Sequence, residues 1–206
     1  STFIKRFMEE LVIPNIENVY RRERARDELP QSGSGRTIMT AEPKFIPEEA
    51  VQIAPDSATT LSIRLIDSVG YMVDSAVGST EEGKPRMVTT PWLPEQIPLT
   101  QAAELGTKKV MDDHSSIGIV MTTDGTITDI PRAEYAEAEQ RVIGELQAIH
   151  KPFVVLLNST HPQAGSTIDL RDELQRRYDV PVMAADVAHM RAEDMQSLLS
   201  DILMEF

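Results

Sequence analysis

Asp67 closes the apolar run LSIRLID, residues 61–67, and Gly70 follows three positions later, directly ahead of Tyr71. A carboxylate at the carboxyl end of a buried strand stands where open α/β sheets bind their ligands. Such an Asp suits Mg²⁺, usually through water, because that ion keeps much of its hydration shell. A Gly three residues on lets the backbone approach a γ-phosphate and offer its N–H. The plain alternative is an Asp that caps a turn. Hydroxyls of the kind that complete such a site open the chain at Ser1 and Thr2 and recur at Thr37 and Thr40 in GRTIMTAEP. Either of these two loop threonines could serve a metal and a γ-phosphate, or be an ordinary loop hydroxyl. A second apolar run, FVVLLN, ends in Asn158, where a sheet of this kind would hold a nucleotide base.

These residues need elements to carry them. Phe3, Ile4, Phe7, Met8 and Leu11 follow the period of one helix face, so a helix starts at the very beginning of the chain. The run RRERARDELPQ, residues 21–31, reads as a solvated helical face, and a Gly/Ser loop extends to residue 47. VQIA (51–54) and LSIRLID flank a turn-like segment and predict an antiparallel pair. Residues 68–100 are rich in Gly and Pro and predict a long irregular connection. TQAAELGTKKVMDDHS predicts a helix capped by Thr100, with Glu104 nearby. From residue 116 onward strands and helices alternate: strands at 116–123, 152–158 and 180–184, helices at 132–150, 167–178 and 191–206. The strands are continuous apolar runs, which predicts a parallel sheet covered on both faces.

Composition narrows the function classes. The net charge of −13 opposes nonspecific binding to a phosphate backbone, so no nucleic-acid partner is expected. The absence of cysteine excludes disulfides, thiolate metal sites and thiol catalysis. The four histidines form no HExxH motif. No run approaches the ~20 apolar residues of a membrane-spanning helix. A cytoplasmic location fits.

D-x-x-G is an arrangement of P-loop nucleotidases. In their translation-factor-like GTPase class the order is strand, P-loop, helix, switch loop, antiparallel strand pair, D-x-x-G, then alternating helices and strands. The chain matches that order except for the first strand and the P-loop. It is therefore expected to be an α/β, doubly wound, mostly parallel sheet with one antiparallel strand. Its first strand and P-loop are expected to be missing from residues 1–206, with Ser1 expected as the last residue of G-x-x-x-x-G-K-[ST]. The alternative is an ordinary helix start at Ser1. Guanine readers carry N-K-x-D, but here Asn158 is followed by Ser159, Thr160 and His161. Without that carboxylate the expected nucleotide is ATP, with Mg²⁺. Tyr71 stands where related enzymes use Gln to orient water, so hydrolysis is expected to be slow or to rely on another group.

The segments STFIKRFM, RARDELPQS, GRTIMTAEPKFIP, RLIDSVGY, PRMVTTPW, IGIVMTTDGTI and DVPVMAADV together resemble the stage IV sporulation protein A family of spore-coat morphogenetic ATPases. The resemblance runs across nearly the whole chain. It implies that residues 1–206 are an ATPase domain truncated at its N-terminus, with middle and C-terminal domains beyond Phe206. It implies Mg-dependent ATP hydrolysis that drives self-assembly into a polymer on the developing spore, in the mother-cell cytoplasm. Further partners implied are spore-coat proteins and a small membrane-associated sporulation peptide. The Walker B Asp matches Asp67 and the switch threonine matches Thr40. Ala41 stands where the family often has a second Thr, which leaves a paired-threonine role unsupported.

The expected site is then Asp67 and Thr40 as catalytic groups, Ser1, Thr40 and Asp67 around Mg²⁺, and Ser1, Thr2, Thr37, Gly70 and Asn158 on the nucleotide. The rival reading is a non-catalytic scaffolding domain that keeps the fold, and residues 1–206 alone are expected to bind nucleotide poorly. TTDGTITD (122–129) reads as a polar turn or a lining of the site. His161 reads as a loop residue and Trp92 as a local anchor.

Overall fold

The computed structural model describes residues 1–30, 41–54, 60–73, 75, 76 and 78–204. Thr37 and Thr40, both expected in the site, lie outside the described residues. Helix α1 (Thr2–Phe7) continues through a wider π-helical turn, Met8–Val12, and a short tight turn, Ile13–Asn15. Phe3, Ile4, Phe7, Met8 and Leu11 are all buried, as their spacing predicts, and Val12 is buried with them. Helix α2 (Val19–Asp27) is capped by the Asn18 side chain, which accepts from the Arg21 N–H at 3.1 Å. It is largely exposed; only Ala25 is buried.

Strand β1 (Lys44–Ile53) pairs antiparallel with β2 (Leu61–Asp67). β1 begins earlier than its apolar run suggests, because Lys44–Ile46 continue the ladder opposite Leu65–Asp67. The ladder shifts register between Ile46 and Val51, and Pro47, which has no N–H to donate, falls in that irregular stretch.

The connection after Asp67 is not irregular throughout. It contains two hairpins, β3 (Thr80–Glu81) with β4 (Lys84–Pro85), and β5 (Met87–Thr90) with β6 (Leu93–Pro98). Proline is tolerated because both are two-stranded, so every strand has an edge that needs no ladder donor. β6 runs straight into helix α3 (Leu99–Lys109). The helix therefore opens one residue before the expected Thr100 cap. Pro98 holds the cap position, and the Leu99 N–H is satisfied by the Arg86 carbonyl at 2.8 Å rather than by a side chain. Trp92 packs over Gly106 of α3. A Cβ on Gly106 would lie 3.2 Å from the indole and 3.1 Å from the Ala41 carbonyl oxygen, so the close approach needs glycine.

Strands β7 (Gly118–Thr123), β8 (Phe153–Asn158) and β9 (Val182–Ala185) form a parallel sheet in that order. Helices α4 (Arg132–Ala148) and α5 (Gly165–Tyr178) connect them, and α6 (Ala192–Met204) follows. β8 is buried on both faces, which explains its unbroken apolar run. Val154 and Leu156 join α1, β1 and α6 in one core; Phe153, Val155 and Leu157 join α4 and α5 in the other. β7 departs from the prediction of full cover: Met121 is 44 % exposed.

The α/β architecture with a parallel sheet is present, but among the described residues that sheet and the antiparallel pair are separate rather than one sheet. Among the described residues no ladder joins the β1–β2 pair to the parallel sheet, so β2 and β7 each keep an unpaired edge. The two sheets nevertheless share a core, since Leu61, Ile63 and Leu65 of β2 and Ile119 of β7 pack against the same cluster.

Helix α5 ends on Asp179 in the left-handed conformation (φ 54°, ψ 47°), with its N–H bonded to the Gln175 carbonyl at 3.0 Å. A Cβ is disfavoured there, and a carboxylate opposes the negative end of the helix dipole. Asp179→Gly is expected to stabilise the chain by about 1 kcal/mol, raising the thermal midpoint by about 2–4 °C. Calorimetry checks this; a lowered midpoint would contradict it.

Candidate nucleotide site

Ser1 and Asp67 are 66 positions apart in the chain and meet at the carboxyl end of β2. The Ser1 hydroxyl donates to Asp67 Oδ2 at 2.5 Å, and the Ser1 nitrogen lies 3.4 Å from Oδ1. The local sequence explains the meeting. The apolar face of α1 is pinned into the shared core, which fixes the helix start, and β1 holds β2 so that Asp67 falls at the strand end opposite Lys44. Both side chains stay reachable, Ser1 at 45 % and Asp67 at 21 % exposure. Two oxygen donors in contact suit the hard-ligand preference of Mg²⁺. Among the described residues no group of three or more His, Cys, Asp or Glu could cage a metal. Among the described residues an ion here would rest on this pair, with water and phosphate oxygens completing its shell.

Gly70 has φ +80°, a conformation glycine adopts without strain. Its N–H donates to the Thr107 hydroxyl on α3 at 3.1 Å. Tyr71 is held beside it. Its phenol donates to the Glu145 carboxylate of α4, and the Arg141 guanidinium lies 4.0 Å from the centre of its ring. Arg141 also pairs with Glu104 at 2.9 Å and Glu145 at 3.3 Å. Burial pushes the Tyr71 phenol well above its ordinary value, and the bond and charge of Glu145 add to this. Tyr71 is thus a neutral donor in a polar cluster between α3 and α4. Thr107, Arg141 and Glu145 carried no signal in the sequence, because the contacts that matter span 37 to 74 residues.

At the end of β8, the Asn158 side-chain oxygen accepts from the Val187 N–H at 3.1 Å, which ties β8 to the segment after β9. Asp124, one residue past β7, holds a turn. Its Oδ1 accepts from the Thr126 N–H at 3.0 Å and the Thr126 hydroxyl at 2.6 Å, and its Oδ2 from the Thr167 hydroxyl at 3.0 Å. Partial burial alone would raise this carboxyl. The bonds from Ser159, Thr126 and Thr167 outweigh burial and hold it below its ordinary value. The segment TTDGTITD is accordingly an Asp-stabilised turn. His161 is exposed on its loop, with its N–H on the Ser159 hydroxyl at 2.9 Å.

Asp67 and Asn158 are the last residues of β2 and β8, Gly70 follows β2 by three residues, Ser1 caps α1 and Thr2 is its first residue; no contact joins Asn158 to the Ser1–Asp67 pair among the described residues. A cavity of about 410 Å³, lined by Val180, Pro181 and Asp201 among others, lies at the other end of β9 and involves none of them.

Comparison with known proteins bears on this arrangement. The model of the stage IV sporulation protein A ATPase domain matches residues 1–206. Proteins named stage IV sporulation protein A are similar over the whole chain: 53 % identical in Bacillus anthracis, 52 % in Bacillus subtilis (strain 168) and 50 % in Clostridioides difficile (strain 630). The chain spans 42 % of the length of each of these relatives. No solved structure matches it. With a family match from the first residue to the last and relatives at least half identical across the same span, the chain belongs to the stage IV sporulation protein A ATPase-domain family.

Proposed function

We propose that this chain is the ATP-hydrolysing unit of a protein that self-assembles into a polymer around the developing spore. Family membership supports the ATPase part. The contact between the Ser1 hydroxyl and Asp67 carries the assignment of the site. A hydroxyl whose proton is committed to Asp67 keeps its lone pairs for a cation, which is how a helix-opening Ser and a strand-end Asp share Mg²⁺. When bound, the ion would be held by the Ser1 hydroxyl and Asp67 and would neutralise charge developing on the phosphates. Thr40, and Thr37 near it, are the switch-loop candidates for the same ion and for the γ-phosphate. The unpaired edges of β2 and β7 support a nucleotidase sheet of the translation-factor-like class. One further strand between them, leading through a phosphate loop into Ser1, would unite the two sheets.

Gly70 would offer its N–H to the γ-phosphate, and for that it must leave Thr107. Release of the loop on binding, and its return after hydrolysis, is the order of events by which nucleotide state would gate assembly. We place that assembly in the mother-cell cytoplasm, with spore-coat proteins and a small membrane-associated peptide as further partners. Among the described residues no helix is long and apolar enough to cross a membrane.

The base assignment rests on Asn158-Ser159-Thr160-His161, which lacks the carboxylate that would accept from guanine N1–H and its 2-amino group. GTP is expected to be turned over at least about tenfold less efficiently than ATP by the full-length protein. Steady-state kinetics with both nucleotides decide it, and equal efficiency would refute the assignment.

A further inference from the structure

The ends of β7, β8 and β9 carry three side chains with a carbonyl or carboxylate oxygen that can accept a hydrogen bond from a base: Asp124, Asn158 and Asp186. Two are already committed. Both oxygens of Asp124 receive hydroxyl or N–H donors from Thr126 and Thr167, and the Asn158 oxygen receives the Val187 N–H. Asp186 is different. Its Oδ2 lies 2.9 Å from His189 Nδ1, and no donor among the described residues reaches its Oδ1. The carboxylate is 27 % exposed, and the histidine that orients it is 82 % exposed, so the pair faces outward without sealing the strand end.

Asp186 is also fixed in place from both sides. Ala185 pairs with Asn158 in the parallel ladder, and its carbonyl accepts the Ser159 N–H at 3.0 Å. On the other side Val187 donates to Asn158. This last bond sets the Asn158 amide: with its oxygen occupied, its nitrogen remains as a donor. The ends of the adjoining strands β8 and β9 therefore carry a donor, the Asn158 amide nitrogen, and an open acceptor, one oxygen of Asp186.

That donor–acceptor pair has a chemical counterpart. The N7/C6 edge of adenine presents an acceptor at N7 and a donor at the 6-amine, whereas guanine presents acceptors at both positions. We propose that Asp186 is a specificity-determining residue that accepts from the 6-amine of adenine, while the Asn158 amide donates to N7. Asp186 then disfavours guanine by opposing a carboxylate to its 6-oxygen. The inference rests on the ATPase reading above and adds to it the group that selects the base.

The test uses the full-length protein with ATP, GTP and purine riboside 5′-triphosphate, which keeps N7 and lacks the 6-amine. In the unaltered protein kcat/KM should be about 10- to 100-fold higher for ATP than for the purine analogue. Asp186→Ala should lower kcat/KM for ATP far more than for the analogue, bringing the ratio to about 1. Asp186→Asn, which keeps the shape and an oxygen, should retain part of the preference. A purely structural role would lower both nucleotides together and keep the ratio. That result, or a ratio near one in the unaltered protein, overturns the role of Asp186. Absence of turnover of every nucleotide by the unaltered protein overturns the ATPase reading itself, which separates the two failures.

Discussion

ATP turnover by the full-length protein should fall about 100-fold when Asp67 is replaced by alanine, the upper end for removing a group that holds a metal ligand in place. The physical reason is the bond at 2.5 Å between the Ser1 hydroxyl and the Asp67 carboxylate. Without the carboxylate the hydroxyl is free to rotate, and the negative charge facing the cation is gone. Fold stability should hardly change. The pair is partly exposed and its hydrogen bond contributes about 1 kcal/mol, so the variant remains folded. Two controls sharpen the result. Ser1→Ala should lower turnover through the same site, and the double variant should lose much less than the two single losses combined. Raising Mg²⁺ should restore part of the Asp67→Ala activity if the metal is what was lost. Undiminished hydrolysis by Asp67→Ala would remove Asp67 from the site.

The second large effect concerns stability. Glu139 lies on α4 with its side chain only 2 % exposed, beneath β7. Its carboxylate accepts from the Thr122 hydroxyl at 2.6 Å, pairs with Arg132 at 2.9 Å and accepts from the Tyr178 hydroxyl at 3.3 Å. Arg132 Nη1 also donates to the Thr122 hydroxyl at 3.3 Å, which closes the ring of contacts. Removing the carboxylate strands a guanidinium that is only 21 % exposed. Glu139→Ala is expected to cost about 3 kcal/mol, at the low end for breaking a buried pair because Arg132 keeps some water. The thermal midpoint should drop by about 6–12 °C. Replacing both partners, Arg132→Leu with Glu139→Leu, leaves no lone charge and should recover much of that loss. A Glu139→Ala midpoint within 2 °C or so of the parent would show that the pair is not what holds α4 to β7.

Much of the framework was legible in the residues. The 3.6-residue period of α1 and the unbroken apolar run of β8 are local signals, and each predicts its element and its burial. The strand-end rule likewise led from LSIRLID to Asp67 and from FVVLLN to Asn158. The hairpin Met87–Thr90 with Leu93–Pro98 was not legible, because prolines break the local strand pattern and only pairing across the turn makes it a strand. The opening of α3 was missed for a related reason: its first N–H is satisfied by a backbone carbonyl thirteen residues back, which leaves no capping residue to find.

The site divides in the same way. By itself, the sequence determined the kinds of group available: a hydroxyl at a helix start, a carboxylate and an amide at strand ends, a glycine three residues after the carboxylate, and no guanine-reading Asp. Only the tertiary structure decided which of them meet and which are already engaged. It brings Ser1 onto Asp67, commits Gly70 to Thr107 and Tyr71 to Glu145, and occupies Asp124 while leaving one oxygen of Asp186 open. The reason is physical. Side-chain type and short-range periodicity are written along the chain, whereas hydrogen-bond occupancy depends on partners that packing brings from tens of residues away.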